Sequence, residues 1–180
     1  MSNYLTRTPH LWILDGPGIL SERPIIISKI IYIPDAADND VLFKEWDEST
    51  TLAAGSLSGK VGNISSTSTF TSAGNIPSTI EDGFIFEITS STGASDNHGK
   101  KLVETAGSAD AVVIHEDDWT NEATSETYSW RTFTTVPSIV LKAGASDASP
   151  IHLPFEGNGR IFPNLTLETI SAGTVYVYLG

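Results

Sequence analysis

Leu165-Thr-Leu-Glu-Thr-Ile170, then Ser171-Ala-Gly173, then Thr174-Val-Tyr-Val-Tyr-Leu179 is the stretch that decides the fold. Residue character alternates on both sides of a small-residue break, which is the pattern of a β-hairpin with one buried face. Val175, Val177 and Leu179 share a side and are expected in the core, each contributing about 1.5–3 kcal/mol on full burial. Tyr176 and Tyr178 take the other side. Tyrosine there suits packing under a loop or a half-wet contact with another subunit.

The same β character continues upstream. Ile25–Ile33 is apolar except for Ser28 and Lys29, is rich in β-branched residues, and stops at Pro34 before the polar turn Asp35–Asp40. Val41–Trp46 reads as the return strand, with a short helix capped by Asp40 as the alternative. Further short strands are expected at Phe84–Ile88, Ala111–Ile114, Tyr128–Phe133, Ser138–Leu141 and Ile151–Leu153. Turn residues separate them: Ser91-Thr-Gly93, Gly107-Ser108, Val136-Pro137, Gly144–Asp147 and Gly157-Asn-Gly159. Neither an amphipathic helix nor a fixed-period repeat is evident. This spacing argues an all-β chain, a β-sandwich of jelly-roll-like type.

Residues 1–24 are broken by Pro9, Gly16, Pro17, Gly18 and Pro24, yet hold Leu11, Trp12, Ile13, Leu14, Ile19 and Leu20. They read as an extended N-terminal arm, docked either on its own domain or across a neighbouring subunit. Residues 25–180 then form a single sandwich domain with a Ser/Thr-rich insertion at about 48–137. Within that insertion seven of the nine residues from Ile64 to Ser72 are Ser or Thr, which predicts thin strands or a long surface excursion.

Bulk properties narrow the function classes. A chain of 180 residues buries roughly 70% of its unfolded surface and needs no covalent staple. It has no cysteine, which leaves the compartment open. With 22 acidic against 10 basic residues the net charge is −12. Such a surface repels phosphate backbones, and no Lys/Arg cluster offsets it, so no nucleic-acid partner is expected. No segment approaches the roughly 20 apolar residues of a membrane span. Leu11–Leu14 is too short for a secretory core, so neither a signal peptide nor a membrane partner is expected.

No set of residues carries recognisable chemistry. The four histidines, His10, His98, His115 and His152, are scattered without metal-ligand spacing. His115-Glu-Asp-Asp118 offers carboxylates for acid/base work or a hard cation, but its place after an apolar strand reads as a solvated turn. Asp35, Asp38, Asn39 and Asp40 resemble a calcium loop without its glycine or distal glutamate. Gly55-Ser-Leu-Ser-Gly59 imitates a nucleophile elbow with Leu57 where serine is needed. Asn63-Ile-Ser65 and Asn164-Leu-Thr166 are formal glycosylation triplets that a Ser/Thr-rich chain produces by chance. The chain therefore reads as non-enzymatic, with no catalytic residue, metal or cofactor.

Two blocks resemble a known group. The first is Lys29-Ile-Ile-Tyr-Ile-Pro34, its Asp-rich turn, and Asp40-Val-Leu-Phe-Lys-Glu-Trp46-Asp47. The second is Ser138-Ile-Val-Leu141, Pro150-Ile-His-Leu-Pro-Phe155, Phe162-Pro-Asn-Leu165 and the ending Gly173–Leu179. This layout resembles small β-sandwich virion proteins of tailed bacteriophages, in particular capsid decoration or cement proteins. Glu48–Pro137 departs from it. The resemblance implies a structural protein on the outer capsid surface, assembled in the host cytoplasm. Its implied partners are the major capsid protein and copies of itself as a homotrimer. Leu11, Trp12, Ile13 and Leu14 of the arm, with Tyr176 and Tyr178, are the candidate interface residues. The alternative is a tail-associated or receptor-binding module whose Trp119, Trp130, Tyr128 and Tyr176 stack on sugars. The same tryptophans would serve equally as sandwich core.

Overall fold

A computed structural model describes residues 4–56, 63–72, 74–92, 97–108, 110–116, 118–122, 126–146 and 148–180. Strand makes up 61% of the chain and, among the described residues, no helix accompanies it, so the fold is all-β. It divides into two compact units: a terminal unit of Ser2–Glu45 with Val136–Gly180, and an inserted unit of Trp46–Thr135.

The terminal unit holds β1 (Tyr4–Arg7), β2 (Leu11–Leu14), β3 (Gly18–Ser21), β4 (Ile25–Ile33) and the start of β5 (Asp40–Ser56). The inserted unit follows with the rest of β5, β6 (Asn63–Ser66), β7 (Thr69–Thr71), β8 (Ile85–Ser91), β9 (Gly99–Ser108), β10 (Ala111–Ile114) and most of β11 (Tyr128–Lys142). The chain then closes the terminal unit with the end of β11, β12 (Ile151–Pro154), β13 (Arg160–Phe162), β14 (Leu165–Ile170) and β15 (Thr174–Leu179).

In the terminal unit one sheet runs β1-β2-β15-β4-β12, with β13 also pairing β4. A second layer contains β3, β14 and β5 side by side, with β11 next to β5. One core joins the layers. Trp12, Leu14, Ile27, Ile30, Tyr32, Val175 and Val177 enter it from the first sheet, and Leu20, Val41, Phe43, Ile139, Leu141, Leu165 and Leu167 from the second. This is the two-layer packing of a sandwich, each strand surrendering alternate residues to the interior. The expected hairpin is not formed: β14 pairs β3 and β5 in the second layer while β15 pairs β2 and β4 in the first, so Ser171–Gly173 carries the chain from one layer to the other. Alternation reports which side of a strand is buried and not which strand it pairs with. The inward set does hold: Val175 and Val177 are buried, and Leu179 packs partly buried against the same core.

The turn between β14 and β15 is tied to β4. The Tyr32 hydroxyl donates to the Ala172 carbonyl at 2.6 Å. Gly173 takes φ +111°, where an added Cβ would stand 2.2 Å from the Ile33 carbonyl oxygen. Only glycine allows the turn to lie that close to a neighbouring strand.

The described part of the expected arm, from Tyr4 on, is docked on the protein's own fold as one of its two readings had it, but as strands: β2 lies between β1 and β15, and β3 pairs β14. The Gly and Pro residues end four-residue strands instead of preventing them, and strands that short escape a periodicity reading. The second correction concerns Val136-Pro137, expected as a turn and found inside β11. Along β11 the pairing with β8 runs to Ile85 opposite Phe133, and Val136 and Pro137 lie exposed beyond it, where a strand tolerates the missing proline N–H. Third, the Ser/Thr-rich stretch is a unit with its own core, so a single sandwich domain becomes two compact units.

That inserted core is aromatic. Phe86 stacks on Trp130 at 5.7 Å between ring centroids and meets Phe70 at 5.4 Å; Phe70 in turn meets the Tyr128 ring edge-on at 5.0 Å. A buried polar knot closes one side of it. Asn97 donates to the Glu122 carboxylate and to the Thr120 carbonyl, each at 3.0 Å, and accepts from the Thr120 amide at 2.6 Å. The Tyr128 hydroxyl donates to the second oxygen of Glu122. Burial, followed by that bond and the glutamate's charge, raises the Tyr128 pKa above its ordinary value.

Candidate interaction face

The six candidate interface residues come together on two paired strands. β15 runs antiparallel to β2 with Tyr176 opposite Ile13, Tyr178 opposite Leu11, Val175 opposite Leu14 and Val177 opposite Trp12. Because side chains alternate, this register divides the six. Trp12 and Leu14 point inward and are spent in the core, so they are not available to a partner. Leu11, Ile13, Tyr176 and Tyr178 line the outer face, half-buried by one another.

β4 extends that face. Its pairing with β15 sets Ile31 beside Tyr176 and Lys29 beside Tyr178, and the Lys29 ammonium lies 5.7 Å from the Tyr178 ring centroid. Ile33 and Ile26 lie on β4 at 39% and 41% exposure, and Ile161 of β13, opposite Ile26, reaches 66%. His152 of β12 stands beside Ile31 at the far margin. Sequence reasoning missed Ile26, Ile31, Ile33 and Ile161, although a signal was present. A strand with one solvated face alternates apolar and polar residues. Ile25–Ile33 instead is apolar on both sides apart from Ser28 and Lys29, so its outer face is largely apolar.

The electrostatics of this face depart from the rest of the chain. β1, β2, β4, β12, β13 and β15 contain no aspartate or glutamate, so all 22 carboxylate residues lie outside this sheet. Arg7 and Arg160 sit at its edges, where their guanidinium groups cover Trp12 at 4.9 Å and Phe162 at 4.7 Å. Arg160 also reaches Glu45 at 3.4 Å.

The other candidate clusters have structural partners. Glu116 accepts the Leu102 amide at 3.0 Å, and Asp118 accepts two bonds from Lys101 at 2.6 and 2.7 Å; Asp117 lies outside the described residues. In the Asp35–Asp40 turn, the Asp40 carboxylate accepts from the Ser171 hydroxyl. Among the described residues no three His, Asp or Glu side chains are grouped to hold a metal ion. The centre of the elbow-like Gly55–Gly59 stretch lies outside the described residues. Asn164 of the second glycosylation triplet is buried. Trp119, Trp130 and Tyr128 are buried in the inserted core, where they cannot stack on a sugar. No helix among the described residues is long and apolar enough to cross a membrane.

No protein-family model, curated protein or solved structure matches the chain.

Proposed function

We propose that this chain is a non-enzymatic structural protein of a bacteriophage virion, a decoration (cement) subunit that stabilises the head shell by contact between subunits. The observation that supports it best is the outer face of the six-stranded sheet. There Ile13, Tyr176 and Ile31 line up across three strands, flanked by Ile26, Ile33 and Ile161, with no carboxylate on any strand. Apolar area removed from water contributes about 25 cal/mol per Å², and symmetry repeats even a small contact over a whole shell. The acidic remainder of the molecule favours solubility and keeps it off packaged nucleic acid. The partners in this reading are the major capsid protein and further copies of the chain, at the outer capsid surface. The sugar-binding alternative has lost three of its four aromatic side chains to the core.

The test is cosedimentation with empty shells assembled from the capsid protein encoded beside this chain. The protein should pellet with the shells and raise their rupture temperature, and Ile31→Glu should weaken both effects. A folded protein that stays in the supernatant at saturating concentration refutes the proposal.

A further inference from the structure

We infer that Asn158, in the turn between β12 and β13, is a site of spontaneous covalent modification. Its side chain cyclises on the Gly159 amide, and the turn ages into a mixture of aspartyl and isoaspartyl forms that loosens the start of β13.

Sequence and structure together single out this residue. Asn158-Gly159 is the one Asn-Gly pair in the chain, so here alone no side chain shields the amide nitrogen that follows an asparagine. Asn158 is exposed, and its side-chain amide has no hydrogen-bond partner among the described residues. The attacking atom is held weakly. The Gly159 amide donates to the Glu156 carbonyl at 3.3 Å, beyond the roughly 2.7–3.2 Å of an ordinary bond. Other asparagines lack these conditions: Asn97 and Asn164 are buried, Asn75 is bonded to Ser72, and isoleucine follows Asn63 and Asn75. Asp82-Gly83 shows how the fold can block such a pair. Asp82 accepts the Ala106 amide at 2.9 Å, and the Gly83 amide donates to the Val103 carbonyl at 2.8 Å, so both reacting groups are tied.

The reaction balances with water as its only co-reactant. The Gly159 nitrogen gives its proton to solvent base and attacks Asn158 Cγ. The N–Cγ bond forms, the Cγ–Nδ2 bond breaks, and ammonia leaves. Water then opens the cyclic imide at one of its two carbonyl carbons. Breaking N–Cγ leaves an aspartyl side chain. Breaking the original peptide bond routes the main chain through Cγ and leaves the α-carboxylate as a side group. Either product adds one negative charge, and the second also adds a methylene to the main chain.

The turn has no room for that extra atom. Gly159 sits at φ +95°, and a Cβ built on it would stand 2.5 Å from the Ile27 carbonyl oxygen, so the main chain lies hard against β4. The same Cβ would meet Ile26 Cγ2 at 3.0 Å, so the new charge arises next to an exposed residue of the carboxylate-free face. Among the described strands β13 pairs only β4, with Arg160 opposite Ile27 and Ile161 opposite Ile26. Phe162 keeps the far end of β13 in the core, which confines the loosening to Arg160 and Ile161.

Peptide mapping of the full-length protein, aged at mildly alkaline pH, tests this. The tryptic peptide of residues 143–160 contains no other asparagine. It should gain one mass unit, faster as pH is raised, at a rate within several-fold of the same peptide free in solution. Isomerisation at an aspartate leaves mass unchanged and does not enter this reading. An isoaspartyl methyltransferase should label the aged peptide, and Asn158→Ser should remove both signals. Hydrogen exchange over Arg160–Phe162 should quicken in the isoaspartyl form. A folded protein whose peptide keeps its mass while the free peptide converts overturns the inference. So does a gain that appears first at another asparagine. An isoaspartyl form with exchange over β13 equal to that of fresh protein overturns the loosening. None of these outcomes depends on whether the chain binds a shell.

Discussion

Replacing Gly173 by alanine probes how closely the turn before the last strand is fitted to β4. Two costs add. A left-handed residue other than glycine costs about 1–2 kcal/mol, and φ +111° lies beyond the well that L residues tolerate best. The new Cβ would also stand 2.2 Å from the Ile33 carbonyl oxygen and 2.9 Å from the Pro34 Cα, both backbone atoms that cannot rotate away. Restoring ordinary contact moves the turn off β4 by about 1 Å, which threatens the Tyr32–Ala172 hydrogen bond and the Thr174–Ile33 pair, each worth about 0.5–1.5 kcal/mol net. The expected loss is therefore on the order of 3–5 kcal/mol, a large part of the roughly 5–15 kcal/mol that holds a domain folded. Gly157 is the internal control. It belongs to the same unit and has φ +63°, but nothing lies within 4 Å of its added Cβ, so Gly157→Ala should cost only about 1 kcal/mol. Native-state hydrogen exchange at the amides of β4 and β15 reads the stability of this unit directly. If Gly173→Ala and Gly157→Ala differ by less than about 0.5 kcal/mol, the close-approach reasoning is wrong.

Three further outcomes are expected. Deleting residues 1–20 removes Trp12, Leu14 and Leu20 from the core, so the truncated chain should lose the protected amides of β4 and β15; protection left intact would restore the arm reading. Phe86→Ala should cost about 3–5 kcal/mol and alter tryptophan fluorescence, since Phe86 stacks on Trp130 and faces Trp119; an unchanged melt refutes its central place. The pKa values of Tyr32 and Tyr128 are raised, chiefly by burial, so the folded state holds these protons more tightly than the unfolded chain. Their contribution to stability is intact below about pH 10 and declines as pH climbs above it. Alkaline titration at constant temperature should show the Tyr128 tyrosinate later than that of a free tyrosine, and Tyr128→Phe should remove part of that late signal. Ionisation of Tyr128 in the ordinary tyrosine range in a protein still folded would refute the assignment.

Local pattern alone settled much of the fold. Alternation in Leu165–Leu179 specified two strands and the inward valines, and the β-branched run Ile25–Ile33 specified another strand, while the pairing of the chain's last two strands as a hairpin failed because they belong to opposite layers. The strand readings succeed because a strand's side-chain period is a property of the backbone. Pairing is different, since it depends on residues far apart in the chain. Leu11–Leu14 reads as a broken arm until β15 stands beside it. The same four residues are then divided by register, Trp12 and Leu14 to the core, Leu11 and Ile13 to the surface. Glu122, Asn97 and Tyr128 likewise have no visible relation until the inserted unit closes around them. The carboxylate-free face is the clearest case. Its strands come from both ends of the chain, and only strand order in space brings their acid-poor segments into one surface.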